Sequence, residues 1–133
     1  MECVILKTIK KLYEIAASQS QVWKALVEPE IIDKWGGGPS KMDSKIGFHF
    51  QLWGGDIYGK NIEVEEEKKL VQEWFGGNWK KPSIVTFTLK SENKNIILEL
   101  EQVNVPDEEA DDIDQGWDEY YLNPMKKMLE KNK

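Results

Sequence analysis

The sequence predicts an α+β fold in which a curved antiparallel sheet of about six strands surrounds one long C-terminal helix. Three observations lead to this prediction. Most of the chain alternates between short β-periodic segments and hairpin-length turns, which favours antiparallel pairing. Two short helical segments follow the first strand. A sheet with one apolar face needs a cover, and only the C-terminal segment is long enough to provide it.

The N-terminal third of the chain predicts one strand and two short helices. Residues 3–15 have a mixed strand pattern. Ser18 is a good helix N-cap, and Gln21, three residues later, can complete a capping box. Pro29 suits the first turn of a second helix, which the glycine-rich segment 36–39 ends. The apolar sides of the two helices are formed by Val22, Trp23, Leu26 and Val27 and by Ile31, Ile32 and Trp35.

The middle of the chain has a period of two, which is typical of half-buried strands. Its first strand alternates through Ile46, Phe48, Phe50 and Leu52. Gly54 and Gly55 predict a two-residue hairpin turn, because glycine accepts the positive φ of such turns. The following strands are predicted over residues 56–65, 70–75, 83–90 and 96–103.

The C-terminal segment predicts a helix from about Asp114 to Glu130, preceded by an acidic loop over residues 107–114. Pro124 removes a backbone donor and crowds the carbonyl of Tyr120, so a bend is expected there. A bent helix across a curved sheet can leave space beneath it. One buried stripe is predicted, formed by Ile113, Trp117, Tyr120, Tyr121, Pro124, Met128 and Leu129.

Composition excludes several classes of protein. The chain of 133 residues is 40% hydrophobic and 32% charged, which predicts a single globular domain over residues 1–133. A net charge of −6 argues against nucleic-acid binding. No apolar run approaches the roughly 18 residues of a membrane span, and no signal peptide is recognised. Cys3 is the single cysteine, which excludes an internal disulfide and favours a cytoplasmic location.

Four blocks of the chain resemble the activator of heat-shock protein 90 ATPase homologue family, part of the START-like (SRPBCC) helix-grip superfamily. The blocks are residues 18–35, 50–75, 78–89 and 114–129. The most specific residues are Gly54, Gly55, Gly59, Trp74, Gly116, Trp117, Tyr120 and Tyr121. The resemblance is to the C-terminal domain of the co-chaperone, and it implies a cavity between sheet and helix. Lys60-Asn61 and Glu66-Glu67 depart from the family pattern, which is expected to alter surface or cavity-rim chemistry.

Two non-enzymatic functions follow from this resemblance. The first is a module that binds a small hydrophobic ligand in an aromatic cavity, with tyrosine hydroxyls as anchors. The cavity would be lined by Phe48, Phe50, Leu52, Trp74, Phe87, Trp117, Tyr120, Tyr121 and Met128. The second is a co-chaperone, monomer or weak dimer, that binds a heat-shock protein 90 homologue and stimulates its ATPase. Its contact patch would be Asp107, Glu108, Glu109, Asp111 and Asp112.

An enzymatic function is the third alternative, because START-like relatives include cyclases and hydrolases. No nucleophile–base pair stands out. His49 is the single histidine, and the strand alternation places it on the solvent side. The acidic run lacks the glycine of a calcium-binding loop and is better explained as a solvated loop that leads into a helix N-terminus, so no metal or cofactor is predicted.

Overall fold

The computed structural model describes residues 6–76 and 81–131. The strands are β1 Leu6–Ile15, β2 His49–Leu52, β3 Ile57–Glu65, β4 Lys69–Gly76, β5 Ser83–Glu92 and β6 Asn95–Pro106. The helices are α1 Gln19–Val27, α2 Pro29–Trp35, α3 Asp107–Gly116 and α4 Asn123–Lys131, with a π-helical turn at Trp117–Leu122 that joins α3 to α4. We refer to residues 107–131 as the C-terminal helix. The position of Cys3 lies outside the described residues.

The six strands form one antiparallel sheet in the order β1-β6-β5-β4-β3-β2. The edges of the sheet are therefore β1, at the start of the chain, and the short strand β2. One face of the sheet packs against the C-terminal helix, and α1 and α2 contribute to the same core. The predicted fold class is confirmed. In the residues that the structure describes, no helix is both long and apolar enough to cross a bilayer.

The two short helices begin and end where the sequence predicts. The Ser18 hydroxyl accepts a hydrogen bond from the backbone N–H of Gln21 at 3.1 Å, and the Gln21 side chain accepts one from the N–H of Ser18 at 2.9 Å. This reciprocal pair is the predicted capping box. Pro29 occupies the first turn of α2, and Gly36 ends it at φ 105°, a left-handed conformation that favours glycine.

Strand β2 is shorter than predicted. Ile46 is 68% exposed, and the strand begins only at His49, which is exposed as expected. The reason is a turn before the strand, in which Phe48 N–H donates to the carbonyl of Lys45 and Gly47 adopts a φ of 84°.

The predicted two-residue turn after β2 was wrong. Leu52 and Ile57 form the last pair between β2 and β3, so the connecting loop has four residues, 53–56. Within this loop Trp53 takes an unusual positive φ of 50°. Its backbone N–H donates to the carbonyl of Gly37 at 2.8 Å, and that of Gly54 donates to Pro39 at 2.9 Å. The segment that follows α2 thus holds the loop in place.

The acidic segment was also predicted wrongly, because residues 107–114 are helical and not a loop. The C-terminal helix begins at Asp107, directly after Pro106. Asp107, Glu108 and Glu109 lie in its first turn, where negative charge interacts favourably with the helix dipole. Lys7 of β1 adds an ion pair to Asp107 at 2.8 Å.

The π-helical turn changes which residues of the C-terminal helix face the core. The N–H of Asn123 donates to the carbonyl of Asp118, five residues earlier, and this wider turn immediately precedes Pro124. An i→i+5 turn shifts the phase of every later side chain relative to the α-helical period. The burial predicted for Tyr120 was therefore wrong, since its side chain is 62% exposed. Trp117, Tyr121 and Leu129 are buried as predicted, but the core also contains Leu122 and Met125.

Candidate ligand pocket

A pocket of about 340 Å³ lies between the C-terminal helix and the loop formed by residues 53–56. Its volume falls within the usual range of small-molecule sites, roughly 300–1,000 Å³. Strands β4 and β6 contribute one residue each to its walls. The lining residues in the described part of the chain are Trp53, Asp56, Ile57, Trp74, Gln102, Ile113, Gly116, Trp117, Tyr120 and Tyr121.

Trp74 is positioned by a chain of buried amides in the sheet. Its indole N–H donates to the Gln72 side-chain oxygen at 2.8 Å, and the Gln72 amide nitrogen donates to Asn61 at 2.9 Å. Asn61 in turn donates to the backbone carbonyls of Asp43, at 2.7 Å, and Lys45, at 3.0 Å. Because every member has a partner, this buried network rigidifies the wall instead of destabilising it. Asn61 was expected to affect the surface or the cavity rim, but it is buried.

Trp117 is held in the same way from the helix side. Its indole N–H donates to the buried Gln102 side-chain oxygen at 2.7 Å, and the Gln102 amide donates to the Ser83 hydroxyl at 2.8 Å. The rings of Trp74 and Trp117 lie 4.8 Å apart at 32°. Aromatic pairs at such distances add to the stability of a core beyond their buried area.

Trp53 completes the aromatic wall from the loop. Its indole N–H donates to the carbonyl of Gly36 at 2.9 Å, and its ring contacts that of Tyr121 edge-on at 6.3 Å. All three tryptophan N–H groups of the pocket are thus bonded to protein acceptors. What these side chains present to the pocket is aromatic carbon surface.

Tyr121 supplies a buried polar group to the site. The side chain is 1% exposed and packs against Trp35, at 4.5 Å, and Trp117, at 4.9 Å. Burial alone raises the pKa of its hydroxyl, which therefore stays neutral. Within the described residues this hydroxyl has no hydrogen-bond partner, yet no fully enclosed polar atom is left unpaired there. We conclude that the hydroxyl opens onto the pocket that the residue lines.

Four of the nine residues predicted for the cavity line this pocket: Trp74, Trp117, Tyr120 and Tyr121. Phe50, Leu52 and Phe87 are fully buried in the core, and Phe48 and Met128 pack against that core while partly buried. Strand alternation identifies the inward face of a strand, but not which end of that face meets a gap. The lining residues that sequence reasoning did not name as cavity residues are Trp53, Asp56, Ile57, Gln102, Ile113 and Gly116.

The residues predicted to bind a partner lie on the first turns of α3. Glu108, Asp111 and Asp112 are exposed, and Glu109 is half-buried. Asp107 is paired with Lys7, as described above. In the described residues, no group of three or more histidine, cysteine, aspartate or glutamate side chains is arranged to hold a metal ion.

Comparison with known proteins places the chain in a family. Residues 16–130 match the family model described as "Activator of Hsp90 ATPase homolog 1-like protein". The chain belongs to this family. The Dictyostelium discoideum member, named activator of 90 kDa heat shock protein ATPase homolog, is 28% identical over 123 residues, covering 90% of this chain and 32% of the relative.

The human member, named activator of 90 kDa heat shock protein ATPase homolog 1, gives a similar result. It is 25% identical over 121 residues, covering 90% of this chain and 35% of the relative. The chain therefore spans about a third of the length of the curated family members that it matches.

Solved structures of other proteins have the same fold. The structure of an HSP90 activator from Plasmodium falciparum superposes with a TM-score of 0.84 at 21% identity, covering 92% of this chain and 95% of that one. The solution structure of the Aha1 dimer from Colwellia psychrerythraea gives a TM-score of 0.79 at 19% identity, with coverages of 93% and 96%. At such identities the likeness shows the fold, and it confirms the helix-grip architecture of the family.

Proposed function

We propose that this family member is a non-enzymatic binding module whose pocket holds a small, largely apolar molecule. The observation that carries the proposal is the buried, unpaired Tyr121 hydroxyl in a pocket whose lining is mostly aromatic and aliphatic. Small-molecule sites combine this kind of apolar lining with a few polar groups that orient the ligand.

The rigidity of the wall supports the same function. Trp74 and Trp117 are fixed by buried hydrogen bonds to Gln72 and Gln102, and Trp53 by a bond to a backbone carbonyl. A ligand that enters does not have to order these rings. Preorganisation of this kind lowers the entropic cost of binding.

A space-filling variant tests the proposal. Gly116 lines the pocket, and a Cβ at this position would meet only the Tyr120 ring, at the ordinary contact distance of 3.8 Å. Gly116→Leu should therefore fill the pocket without straining the helix. Gln115→Leu is the matched control, because Gln115 is exposed on the same helix and does not line the pocket.

The measurement is saturable fluorescence of the neutral apolar probe N-phenyl-1-naphthylamine. The unmodified protein and Gln115→Leu should bind the probe, and Gly116→Leu should bind it at least about tenfold more weakly, which corresponds to about 1.4 kcal/mol. Equal affinity of all three proteins would place probe binding outside this pocket and contradict the proposal. Native mass spectrometry of the freshly purified protein then identifies any co-purified molecule.

A co-chaperone function is the second candidate, favoured by the names of the curated relatives and by the exposed acids of α3. The relatives are named as homologs of the activator of 90 kDa heat shock protein ATPase. Exposed carboxylates at Glu108, Asp111 and Asp112 would steer this protein, with its charge of −6, towards a basic chaperone surface. The chain corresponds to a third of those relatives, so we expect at best weak ATPase stimulation.

Calorimetry against a heat-shock protein 90 homologue from the same organism tests this second function. Binding should weaken as salt is raised, because exposed charges are screened beyond roughly 8–10 Å at physiological ionic strength. The double variant Asp111→Lys/Asp112→Lys should lower the association rate more than it raises the dissociation rate. Glu65→Lys is the control, because it reverses the charge of an exposed residue at the end of β3, outside the acidic patch. Absence of heat at low and high salt would contradict a chaperone partner and leave the ligand-binding proposal intact.

The oligomeric state bears on both functions. The Colwellia psychrerythraea structure is described as a dimer. We propose that this chain is a monomer or a weak dimer. Sedimentation velocity over a range of protein concentrations distinguishes the two.

A further inference from the structure

The polar groups around the pocket share one electrostatic character. Among the described lining residues, Asp56 carries the single formal charge, and neither lysine nor arginine is present. The Gln102 amide bonds mainly within the protein, since its oxygen accepts from Trp117 and its nitrogen donates one hydrogen bond to Ser83. Two tyrosine hydroxyls and the second N–H of this amide are therefore the hydrogen-bond donors that the described side chains offer a ligand, and all of them are uncharged.

The aromatic rings of the pocket also favour a positively charged ligand. The N–H groups of Trp53, Trp74 and Trp117 donate to protein acceptors, so none of them is available to bind an anionic ligand. The faces of aromatic rings carry the negative end of the ring quadrupole and attract cations. Five aromatic side chains around one cavity resemble the cages by which proteins recognise alkylated ammonium groups.

Asp56 is placed to add a full negative charge at the rim. It lies in the loop of residues 53–56, next in the chain to Ile57, and both line the pocket. The side chain is exposed and forms no ion pair within the described part of the chain. A carboxylate without a cationic partner beside an aromatic cavity is complementary to a positively charged guest.

We propose that the pocket selects a cationic ligand with an apolar body, of the aryl- or alkylammonium class, over neutral and anionic molecules of the same shape. The ring faces would surround the ammonium group and its substituents, and Asp56 would neutralise the charge at the rim. This inference rests on the proposed ligand-binding function and names the class of ligand for the same pocket.

Three benzyl compounds of matched shape test the inference. Benzyltrimethylammonium is cationic, neopentylbenzene is its neutral isostere, and phenylmethanesulfonate is the anionic counterpart. Each is titrated as a competitor of N-phenyl-1-naphthylamine, with intrinsic tryptophan fluorescence as the second readout. We expect the cation to bind about tenfold or more tightly than the neutral compound, as cation–π contacts in desolvated sites do. The sulfonate should not compete.

Two variants separate the charge of Asp56 from the net charge of the protein. Asp56→Asn should weaken the cation several-fold and leave neopentylbenzene unchanged. Glu65→Gln removes one exposed carboxylate at the opposite end of β3 and should change neither affinity. An equal loss of cation affinity in both variants would mean general electrostatic attraction and would overturn the role of the pocket charge.

The remaining outcomes distinguish this inference from the function on which it rests. If neopentylbenzene or the sulfonate competes as well as the cation does, selection for a cation is wrong while the binding pocket stands. If the naphthylamine probe shows no saturable binding and none of the benzyl compounds alters tryptophan emission, both the inference and the proposed function fail.

Discussion

The two halves of the C-terminal helix have different surroundings, although they form one continuous helix. The α4 half is sealed, because Met125 and Leu129 are buried where α1 and α2 pack against it. The half formed by α3 and the π-helical turn faces the pocket through Ile113, Gly116 and Trp117. The same sheet lies beneath both halves. The difference therefore comes from what covers the helix from the side.

Trp35 marks the boundary between the sealed half and the open half. It is the last residue of α2, its ring contacts Tyr121 at 4.5 Å, and its indole N–H donates to the carbonyl of Ala25 at 2.9 Å. Beyond this point the cover is no longer a helix but the loop of residues 53–56. A four-residue loop supplies one large side chain, Trp53, which does not fill the volume that a helix would fill. The pocket exists where the helical cover ends.

The largest expected effect concerns the rings that support the open half. Trp117→Ala should lower the free energy of unfolding by about 3–5 kcal/mol, as large-to-small aromatic substitutions in cores do. It would also leave the Gln102 side chain without its donor. Urea unfolding monitored by far-UV circular dichroism measures the change.

Tyr120→Ala is the matched control for this substitution. Tyr120 is an aromatic residue of the same π-helical turn, but it is 62% exposed. Its loss should cost no more than about 0.5 kcal/mol, the scale of surface substitutions. A cost below about 1 kcal/mol for Trp117→Ala would mean that Trp117 is not part of the core.

An intermediate effect is expected when a leucine side chain is introduced beside the sealed half. Ala25 is fully buried in α1, which packs against α4, and Ala25→Leu should destabilise the protein by about 1–3 kcal/mol. Gly116→Leu, on the open half, should cost nothing and should gain some helix propensity. The change in the free energy of unfolding caused by each variant shows how much free space surrounds the substituted position. Equal losses at both positions would show that the pocket is no more accommodating than the sealed core.

Much of the fold was predictable because local signals agreed with the global arrangement. The capping box at Ser18 and the proline at the start of α2 are local features that tertiary packing did not override. The alternation in β5 is equally local, and it places Val85, Phe87 and Leu89 in the buried core. Such consistency between levels is typical of sequences that specify a single fold.

The pocket was only partly predictable because its geometry depends on features without a periodic signal. The π-helical turn adds a residue to one turn, which rotates Tyr120 outwards and brings Met125 into the core. The positive φ of Trp53 depends on hydrogen bonds to residues 37 and 39, far away in sequence. From sequence alone, Gln72 and Gln102 would be assigned to the solvent side of their strands. Their burial is explained only by hydrogen bonds from Trp74 and Trp117, which the sequence does not reveal.

The smallest effect concerns the contacts between the open half and β1, which include two carboxylates. The Lys11 ammonium contacts Asp114 and donates to Asp118 at 2.9 Å, and the Tyr13 hydroxyl donates to Asp118 at 2.5 Å. On the sealed half, Lys126 donates to the backbone carbonyl of Glu14 at 2.7 Å, and the Glu130 carboxylate accepts a hydrogen bond from the N–H of Ala16 at 3.0 Å.

The hydrogen bond from Tyr13 holds the pKa of Asp118 below its usual value of 3.8, and the Lys11 ammonium adds to this effect against the opposing influence of burial. Because the folded-state pKa is the lower one, the carboxylate stabilises the protein above about pH 4, and the contribution is lost as the pH falls through the folded-state value. Asp118→Asn should therefore cost less than about 1 kcal/mol at pH 7, since a partly exposed pair is screened, and the difference from the unmodified protein should shrink at pH 3. Urea unfolding at the two pH values measures this, with the exposed Asp112→Asn as control. A difference that stays constant with pH would contradict a stabilising role of the Asp118 carboxylate.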